Sequence, residues 1–578
     1  MKKNRSLEKN QIVVACLFFI CVLLVFTIFF ISNQAIPAVQ DPSACVTREE
    51  VVEAYSFLHQ DEAVQRALDS LPQDEMFTYG AYRDFLKQLH LWEAGRFEAL
   101  FDWEELEKKG VTRDVLSESR DVVAELFEMN EAGQEHPDVP VETKAQVSVP
   151  EVDEHTIIRV LLLQNGAPVA PEIRFSSNEA YEISWNGIIK EKKKNQIIRA
   201  GQLKLKVGQT AIVQSEKGEL YLADTNGNRD TLGFNGIFRI TRYEDGYAVV
   251  NEVEIEDYLY GVVQSEMPAY FEEEALKAQA VCARTYIVTQ LMQENYPKYR
   301  ADVDDTVRFQ VYNKAAPDAR VVDAVDATRG QILSIDGVPI QAYFFSTSHG
   351  ITSGREIWGL PSPDYLQPVR GSKDVSGMDL SDEETFRGYI RESHADDYDA
   401  SSDYYRWKAT LDMELHLADV KTRLQELEEI QADCVIIRDS HGIETNADAM
   451  NEWTNMQQLK VLERSSSGAV LRLLMVFSEG EAELTNEHVI RQILGLCVKT
   501  LQDKEGDQVN VGELLPSVYF YVQPIKEGIV LFGGGLGHGI GMSQYGANGF
   551  AKQGADMMDI LKFYYRDVDI QQLYPDKE

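Results

Sequence analysis

Apolar residues follow three different patterns along the chain. Residues 12–31 are apolar at every position except Thr27, and at helical rise they span roughly 30 Å, the thickness of a bilayer's hydrocarbon core. Residues 46–131 place apolar pairs between charges at helical spacing, which predicts a small helical region. From residue 154 the period changes to two, which predicts β-strands.

The residues that flank the first apolar segment give it an orientation. Lys2, Lys3, Arg5 and Lys9 precede it, and the NQAIPAV that follows is a poor cleavage site. The apolar part of a signal peptide is also shorter, roughly 7–15 residues. We therefore expect a cytoplasmic tail at residues 1–11, an uncleaved transmembrane anchor at residues 12–31, and a single-pass protein of the cell membrane whose body is extracytoplasmic.

Turn and breaker residues indicate how the body is organised. A helical membrane-proximal domain (46–131) and an acidic linker (132–153) precede a β-rich domain (154–250) in which Asn-Gly pairs separate short strands. Residues 251–573 form the last domain, with an acidic insertion around 381–483. After Pro268, the segment FEEEALKAQAVCARTYIV predicts a long helix whose small residues allow tight packing. The expected class is α+β, mostly antiparallel sheet with one long packed helix.

Composition restricts the function. A chain of 578 residues exceeds one hydrophobic core, and 94 acidic against 56 basic residues give a net charge of −38, which argues against a nucleic-acid partner. Six cysteines, two of them in the apolar segment, include no CxxC spacing, which argues against a cysteine zinc site. Disulfides cannot be paired from these positions.

Three segments carry candidate chemistry. The run GGGLGHGIGMSQYGANGFAKQG threads polar side chains between glycines, and either closes a β-domain with tight turns or forms the wall of a site. In the predicted helix, Lys277 and Arg284 lie seven residues apart on one stripe. They are either solvated cations or partners of Glu266 in the preceding turn.

The third segment is QAYFFSTSHGITSGREIWGLPSPDYLQPVRG, where an apolar strand runs into polar residues. Such a cluster is typical of a loop that lines a site, although a Ser/Thr-rich turn would look the same. His349 could bind a metal, but no further ligand sits near it at a usual spacing.

Four blocks together resemble the stage II sporulation protein D family, which includes lytic transglycosylases of peptidoglycan and amidase enhancers. They are SEMPAYFEEEALKAQAVCARTY, STSHGITSGREIWG, PDYLQPV and GHGIGMSQYGA, in the family's order, within a similarity that covers roughly residues 150–569. Any one block would be weak evidence, whereas four in order are strong.

The resemblance implies roles for particular residues, and it favours the interpretation of the glycine-rich run as the wall of a site. Glu266 corresponds to the family's catalytic acid/base. The implied substrate-binding residues are Lys277, Arg284, Thr352, Tyr365, His538, Ser543 and Gln544. Some members bind zinc through Cys or His in the block that corresponds to FFSTSHG; this chain has Ser348 and His349 but no Cys there, so we expect no metal cofactor.

The implied reaction is lytic cleavage of the MurNAc–GlcNAc bond in glycan strands, with peptide-denuded strands as the expected substrate, in sporulation, engulfment or cell-wall remodelling. One glutamate suffices if it first donates a proton and then accepts one, whereas most hydrolytic glycosidases need two carboxylates. The alternative is a non-catalytic wall-binding activator of an N-acetylmuramoyl-L-alanine amidase. A cell-wall amidase and a membrane partner protein are compatible with the family, and no residue identifies either.

Overall fold

The computed structural model describes residues 152–575, apart from residues 225–232, 294, 313–316, 374–377, 393, 413–416, 455, 511, 513 and 527. The described residues belong to one compact unit, Gln146–Glu578. Among the described residues, no helix is long and apolar enough to cross a membrane. The expected tail, anchor and helical domain lie outside the described residues, and the domain boundaries remain predictions.

The described part is an α+β fold, as expected, in which antiparallel sheets dominate. The α-helices are α1 (Ile255–Glu266), α2 (Glu273–Gln290), α3 (Ala319–Ala327), α4 (Glu383–Arg391), α5 (Leu417–Ile430), α6 (Glu487–Leu496), α7 (Gln544–Lys552) and α8 (Met557–Tyr564). Short 3-10 helices cover Ala200–Leu203, Arg355–Trp358, Asp403–Tyr405, Ala432–Cys434 and Ala447–Glu452.

The strands are short and numerous. They are β1 (Ile157–Leu161), β2 (Arg174–Ser177), β3 (Tyr181–Trp185), β4 (Ile188–Lys192), β5 (Ile198–Arg199), β6 (Thr210–Gln214), β7 (Leu220–Leu222), β8 (Ile237–Tyr243), β9 (Gly246–Glu254), β10 (Val303–Asp304), β11 (Gln331–Ile335), β12 (Val338–Pro339), β13 (Phe344–Phe345), β14 (Trp407–Leu411), β15 (Val435–Asp439), β16 (Glu444–Thr445), β17 (Met456–Arg464), β18 (Val470–Phe477), β19 (Gly480–Thr485), β20 (Val498–Gln502), β21 (Gln508–Val509), β22 (Phe520–Ile525), β23 (Gly528–Gly533), β24 (Met542–Ser543) and β25 (Asp569–Gln572).

A seven-stranded sheet follows the period-two segment, in the order β10-β1-β9-β8-β6-β3-β4. Its hairpin between β3 and β4 turns at Asn186 and Gly187, whose φ values of 48° and 77° are the positive pair that an Asn-Gly turn provides. The β8–β9 hairpin turns where Tyr243 pairs with Gly246. Strand β9 runs directly into α1, which is how this sheet positions Glu266 at the far end of that helix.

Helix α2 is the long packed helix of the prediction. It is buried from Ala275 to Gln290 except at Lys277, and it contacts helices α1, α3, α7 and α8 and strand β11. The alanines at 275, 278, 280 and 283 are fully buried and let these neighbours approach closely. A helix buried on every side forms the centre of the core, so it holds the surrounding elements in fixed positions.

The predicted acidic insertion contributes to two five-stranded sheets. One has the order β16-β15-β19-β18-β17, and the other, β21-β20-β14-β23-β22, pairs β14 from the insertion with β23. Within the insertion, the segment LADVKTRLQELEEI forms α5, and strands follow it. Strand β23 leads directly into the glycine-rich run, so the insertion supports the wall of the candidate site.

Candidate functional site

Glu266 is the last residue of α1 and lies where three segments meet. The helix ends there because Pro268 cannot continue it, and Met267 closes the turn with a hydrogen bond from its N–H to the Val263 carbonyl. The Val311 N–H donates to Glu266 Oε1 at 2.7 Å, and Gln544 Nε2 donates to Oε2 at 3.1 Å. Part of the side chain remains accessible, although protein surrounds the carboxyl group.

The surroundings of Glu266 set its protonation. Burial raises the pKa of its carboxyl group, and the hydrogen bonds from Val311 and Gln544 act in the opposite direction without cancelling the effect. A raised pKa is what a general acid needs in order to hold its proton closer to neutral pH.

The glycine-rich run forms the wall that carries Gln544. Strands β13 and β24 pair in parallel, so that Phe344 lies opposite Met542 and Phe345 opposite Ser543. Gly541, at φ 78°, is where the two segments come closest, since a Cβ there would lie 2.0 Å from the Tyr343 carbonyl oxygen. The close approach requires glycine. The site-wall interpretation of the run therefore agrees with the packing.

Ser543 orients Gln544 from behind. Its side chain accepts a hydrogen bond from the Gly546 N–H as the N-cap of α7, and its hydroxyl donates to Asp399 Oδ1. The Ser348 N–H donates to the same carboxylate oxygen at 2.8 Å. Ser543 is fully buried, so it holds the wall in place from behind the accessible surface.

Asp399 is a residue that sequence reasoning missed. It is fully buried, and burial raises its pKa to about 7, although the bonds from Ser543 and Ser348 lower it. Its chain of contacts to Glu266 runs through Ser543 and Gln544. In the sequence it stands in the acidic stretch DDYDASSD, which looks like a solvated charge run, and no signal there distinguishes it from its neighbours.

His538 lies among aromatic side chains of the same wall. Its ring centroid is 5.6 Å from that of Phe345, 5.4 Å from Trp358 and 6.4 Å from Tyr343. Its Nδ1 accepts a hydrogen bond from the Ile540 N–H at 3.0 Å. Burial lowers its pKa to about 4, so the imidazole is neutral at ordinary pH and can serve as a hydrogen-bonding group.

Thr352 and Tyr365 support the neighbouring loop. Thr352 is buried, and its Oγ1 accepts a hydrogen bond from the Val369 N–H at 2.9 Å. Tyr365 is half-buried, and its Oη accepts one from the Gln341 N–H at 3.2 Å. Both hydroxyls are engaged with backbone groups, and each retains the capacity to donate.

The structure does not bring Lys277 or Arg284 to Glu266, contrary to one of the two interpretations of that stripe. Lys277 Nζ lies 2.6 Å from Glu273 and 2.9 Å from Glu274, the acids of its own helix turn. Neither cation is among the groups that shift the pKa of Glu266.

Arg284 instead forms a buried ion pair inside the protein. It is fully buried and forms a bidentate pair with Glu256, from Nε at 2.9 Å and from Nη2 at 2.8 Å. Its remaining donors reach the carbonyls of Gln331 and Val325. With every side of the guanidinium occupied by protein, a substrate has no access to it, and this corrects the expected substrate-binding role.

An aromatic group borders the site on the side of the α1–α2 loop. Tyr270 is 71% exposed, and its ring centroid lies 5.4 Å from that of Phe271, which packs edge-on against Tyr545 at 5.0 Å. Tyr545 directly follows Gln544 in the chain. An exposed ring four residues after Glu266 offers a flat apolar face, and the sequence analysis did not single it out.

His349 and the described cysteines do not assemble a metal site. His349 is fully buried and stacks on Tyr519 at 4.2 Å. Within the residues that the structure describes, no group of three or more His, Cys, Asp or Glu side chains could hold a metal ion. Cys282, Cys434 and Cys497 are free thiols.

Comparison with known proteins agrees with this architecture. Residues 243–334, which include Glu266, match the family described as stage II sporulation protein, and residues 352–541 match a domain of unknown function. The fold and the site thus define an α+β protein built around a partly accessible glutamate at a helix end. The similarity thus places a stage II sporulation protein domain at residues 243–334, and the resemblance seen in the sequence is confirmed.

Three relatives are similar to this chain over different lengths. Stage II sporulation protein D of Bacillus subtilis (strain 168) is 28% identical over 63% of this chain and 87% of the relative. An uncharacterized protein of Brachyspira hyodysenteriae is 28% identical over 72% of this chain and 92% of the relative. The amidase enhancer of Bacillus subtilis (strain 168) is 32% identical over 53% of this chain, but over only 39% of its own length.

Proposed function

We propose that this protein is a lytic transglycosylase that cleaves the MurNAc–GlcNAc bond of peptidoglycan glycan strands. The observation that carries the proposal is Glu266, a partly accessible residue whose carboxyl group has a pKa raised by burial. Asp399, which is connected to Glu266 through Ser543 and Gln544, is sealed from solvent. It is therefore poorly placed to activate the water that a hydrolytic glycosidase uses.

One carboxyl group can perform both proton transfers. Protonated Glu266 gives its proton to the glycosidic oxygen, and the bond between that oxygen and the anomeric carbon of MurNAc breaks. The 6-hydroxyl oxygen of the same sugar then bonds to the anomeric carbon, and its proton passes to the Glu266 carboxylate. The product ends in a 1,6-anhydro ring, no water is consumed, and Glu266 is ready for another cycle.

The partners of Glu266 suit a group that changes charge twice. The Val311 N–H holds one carboxyl oxygen in either state. Gln544 can donate from Nε2 to the carboxylate or, after rotation of its amide, accept from the protonated acid through Oε1. The exposed ring of Tyr270, four residues after Glu266 in the chain, provides a face on which a sugar can stack.

The proposal includes the setting of the reaction. The anchor at residues 12–31 would hold the enzyme at the outer face of the cell membrane, where peptide-denuded glycan strands are its substrate. Similarity to stage II sporulation protein D supports a role in sporulation and engulfment, or in cell-wall remodelling. A cell-wall amidase that strips stem peptides would act before it.

Mass spectrometry of the products tests the proposal. Purified full-length protein is incubated with glycan strands that retain or lack stem peptides, alongside the variants Glu266→Gln and Glu272→Gln. Glu272 is an exposed glutamate six residues further on and serves as the matched control. We expect anhydro-ended products from the wild type and Glu272→Gln, and a loss of about 10²–10⁴-fold in Glu266→Gln. Reducing ends in place of anhydro ends would identify a hydrolase and overturn the proposal.

A second candidate function rests on the similarity to a protein named amidase enhancer. In that case the chain binds glycan and activates an N-acetylmuramoyl-L-alanine amidase without cleaving the strand. The same incubation would then yield no new glycan ends from any variant. Addition of a purified amidase would accelerate release of stem peptides, and Glu266→Gln would accelerate it equally.

A further inference from the structure

A cavity of about 870 Å³ lies in the region where the predicted insertion packs on the sheet of β14, β22 and β23. It is lined by the end of α4, the segment that leads to β14, the turn after β20, and residues of β22 and β23. Neither the sequence motifs nor the proposed reaction uses it.

Arg406 is the most informative residue of the cavity lining. Its half-buried guanidinium donates to the carbonyls of Ile390, His349 and Tyr405 at 3.0, 2.9 and 2.8 Å, and stacks on the Tyr405 ring at 4.1 Å. Nη2 has only a 3.4 Å contact, to Tyr405 Oη. One of the five N–H groups of the guanidinium therefore has no acceptor among the described residues, and the acceptors of the other four are all neutral.

A buried carboxylate behind Tyr405 does not neutralise Arg406 directly. Asp397 lies behind Tyr405, whose hydroxyl donates to it at 2.7 Å, and it also accepts from the Tyr389 hydroxyl at 3.2 Å. In the described part of the chain, no carboxylate lies within ion-pair distance of Arg406. A partly desolvated cation without a counter-ion favours an anionic ligand.

Two further cations line the same cavity. Arg391 donates from Nε to the Tyr521 hydroxyl at 3.1 Å, and Lys504 donates to the Ala400 carbonyl at 2.8 Å. The acids in the lining, Glu392 and Glu505, are exposed and form no ion pair with these cations among the described residues. Such a group of basic side chains is unusual in a chain with a net charge of −38.

Aromatic faces accompany the cations. Phe532 is half-buried and stacks on the buried ring of Tyr521 at 5.2 Å with an interplanar angle of 13°, and the buried Trp407 lines the cavity beside them. A half-buried aromatic ring next to guanidinium groups that have no carboxylate partner suits a ligand that combines a carboxylate with a sugar ring.

We propose that this cavity is a binding site for a carboxylate-bearing saccharide, held at the carboxylate by Arg406, Arg391 and Lys504 and at the ring by Phe532. N-acetylmuramic acid has this chemistry, because its lactyl group places a carboxylate on an amino sugar. The choice of this sugar rests on the proposed function, whereas the carboxylate site itself does not. The cavity abuts the site wall, because Trp407 Nε1 donates to the Gly535 carbonyl at 3.0 Å.

Calorimetric titration of the full-length protein tests the site with matched ligands. N-acetylmuramic acid and N-acetylglucosamine differ only in the lactyl group, N-acetylglucosamine 6-phosphate supplies a phosphate instead, and a diglutamate peptide supplies carboxylates without a sugar. We expect the acid sugar to bind at least tenfold more tightly than each of the other three. Arg406→Gln, Arg391→Gln and Lys504→Gln should each weaken its binding by about tenfold.

Control variants separate this site from the reaction and from general charge effects. Lys562→Gln removes an exposed cation on α8 and should bind like the wild type, as should Glu266→Gln. Because Arg391 is exposed, its variant remains informative if Arg406→Gln fails to fold. Equal affinity for the acid and neutral sugars would overturn the site. Unchanged binding in both Arg391→Gln and Lys504→Gln, or preference for the phosphate or the peptide, would overturn the proposed ligand.

Discussion

Two buried carboxyl groups of the site wall differ in what surrounds them. Glu266 remains partly accessible and has a hydrogen-bond donor on each oxygen, so it can exchange a proton with a ligand. Asp399 is sealed, with two donors on Oδ1 and no hydrogen-bond partner for Oδ2. The surroundings of Glu266 therefore affect the proposed reaction, whereas those of Asp399 affect the stability of the fold.

The pH dependence of activity follows from the state of Glu266. Because the acid form must donate the first proton, kcat/KM should fall as the pH rises through the raised pKa of Glu266. Gln544→Leu removes a donor that favours the carboxylate, so the pKa should rise further and the alkaline limb should move to higher pH. Gln553→Leu, at the exposed C-cap of α7, is the control. A limb that stays in place, or moves to lower pH, in the Gln544 variant would contradict this assignment.

Asp399 should make the protein less stable as the pH rises. Its folded-state pKa of about 7 lies above its ordinary value of 3.8, so the folded state binds more protons between these values. Stability that is present below about pH 4 is therefore lost towards pH 7. The Asp399→Asn variant lacks this dependence of the free energy of unfolding on pH. The free energy of unfolding of the variant, relative to that of the wild type, should therefore increase by about 3–4 kcal/mol between pH 4 and 8. Denaturant unfolding at both pH values measures the difference, and a pH-independent difference would refute the role.

At the scale of secondary-structure elements, helices α1 and α2 are joined by the Arg284–Glu256 pair. Arg284→Met leaves the Glu256 carboxylate buried without its cation and should cost about 3–5 kcal/mol of stability. The double variant Glu256→Gln/Arg284→Met should recover part of this loss. Lys277→Met is the contrast on the same helix, since its partners Glu273 and Glu274 are largely or partly exposed, and it should cost less than about 1 kcal/mol.

Activity separates the two interpretations of Arg284. If the residue is structural, the folded Arg284→Met variant should have the same kcat/KM as the wild type at low temperature, where both proteins are stable. Lost activity with an unchanged denaturation midpoint would return Arg284 to substrate binding. Glycan cleavage and urea unfolding, measured on the same preparation, decide between them.

At the scale of the whole molecule, local patterns predicted elements better than they predicted contacts. Period-two alternation with Asn-Gly turns gave the β3–β4 hairpin, and small residues after Pro268 gave α2, because both signals act within a few residues. The contact between Gln544 and Glu266 joins residues 278 positions apart, and spacing along the chain carries no information about it. Helical spacing placed Arg284 and Lys277 on one stripe correctly, but it could not show that Arg284 forms an ion pair with Glu256.

The charge of the whole chain should act against the charge of the proposed substrate. A net charge of −38 repels carboxylate-bearing glycan at long range, and this repulsion extends about 30 Å at 0.01 M salt but only about 8 Å at 0.15 M. We therefore expect KM for MurNAc-containing strands to fall as salt rises across this range, while KM for strands with amidated lactyl groups stays nearly constant. Steady-state cleavage of the two substrates at several salt concentrations makes the comparison. A KM that rises with salt for the anionic strand would show that local cations such as Arg406 outweigh the net charge in recruiting substrate.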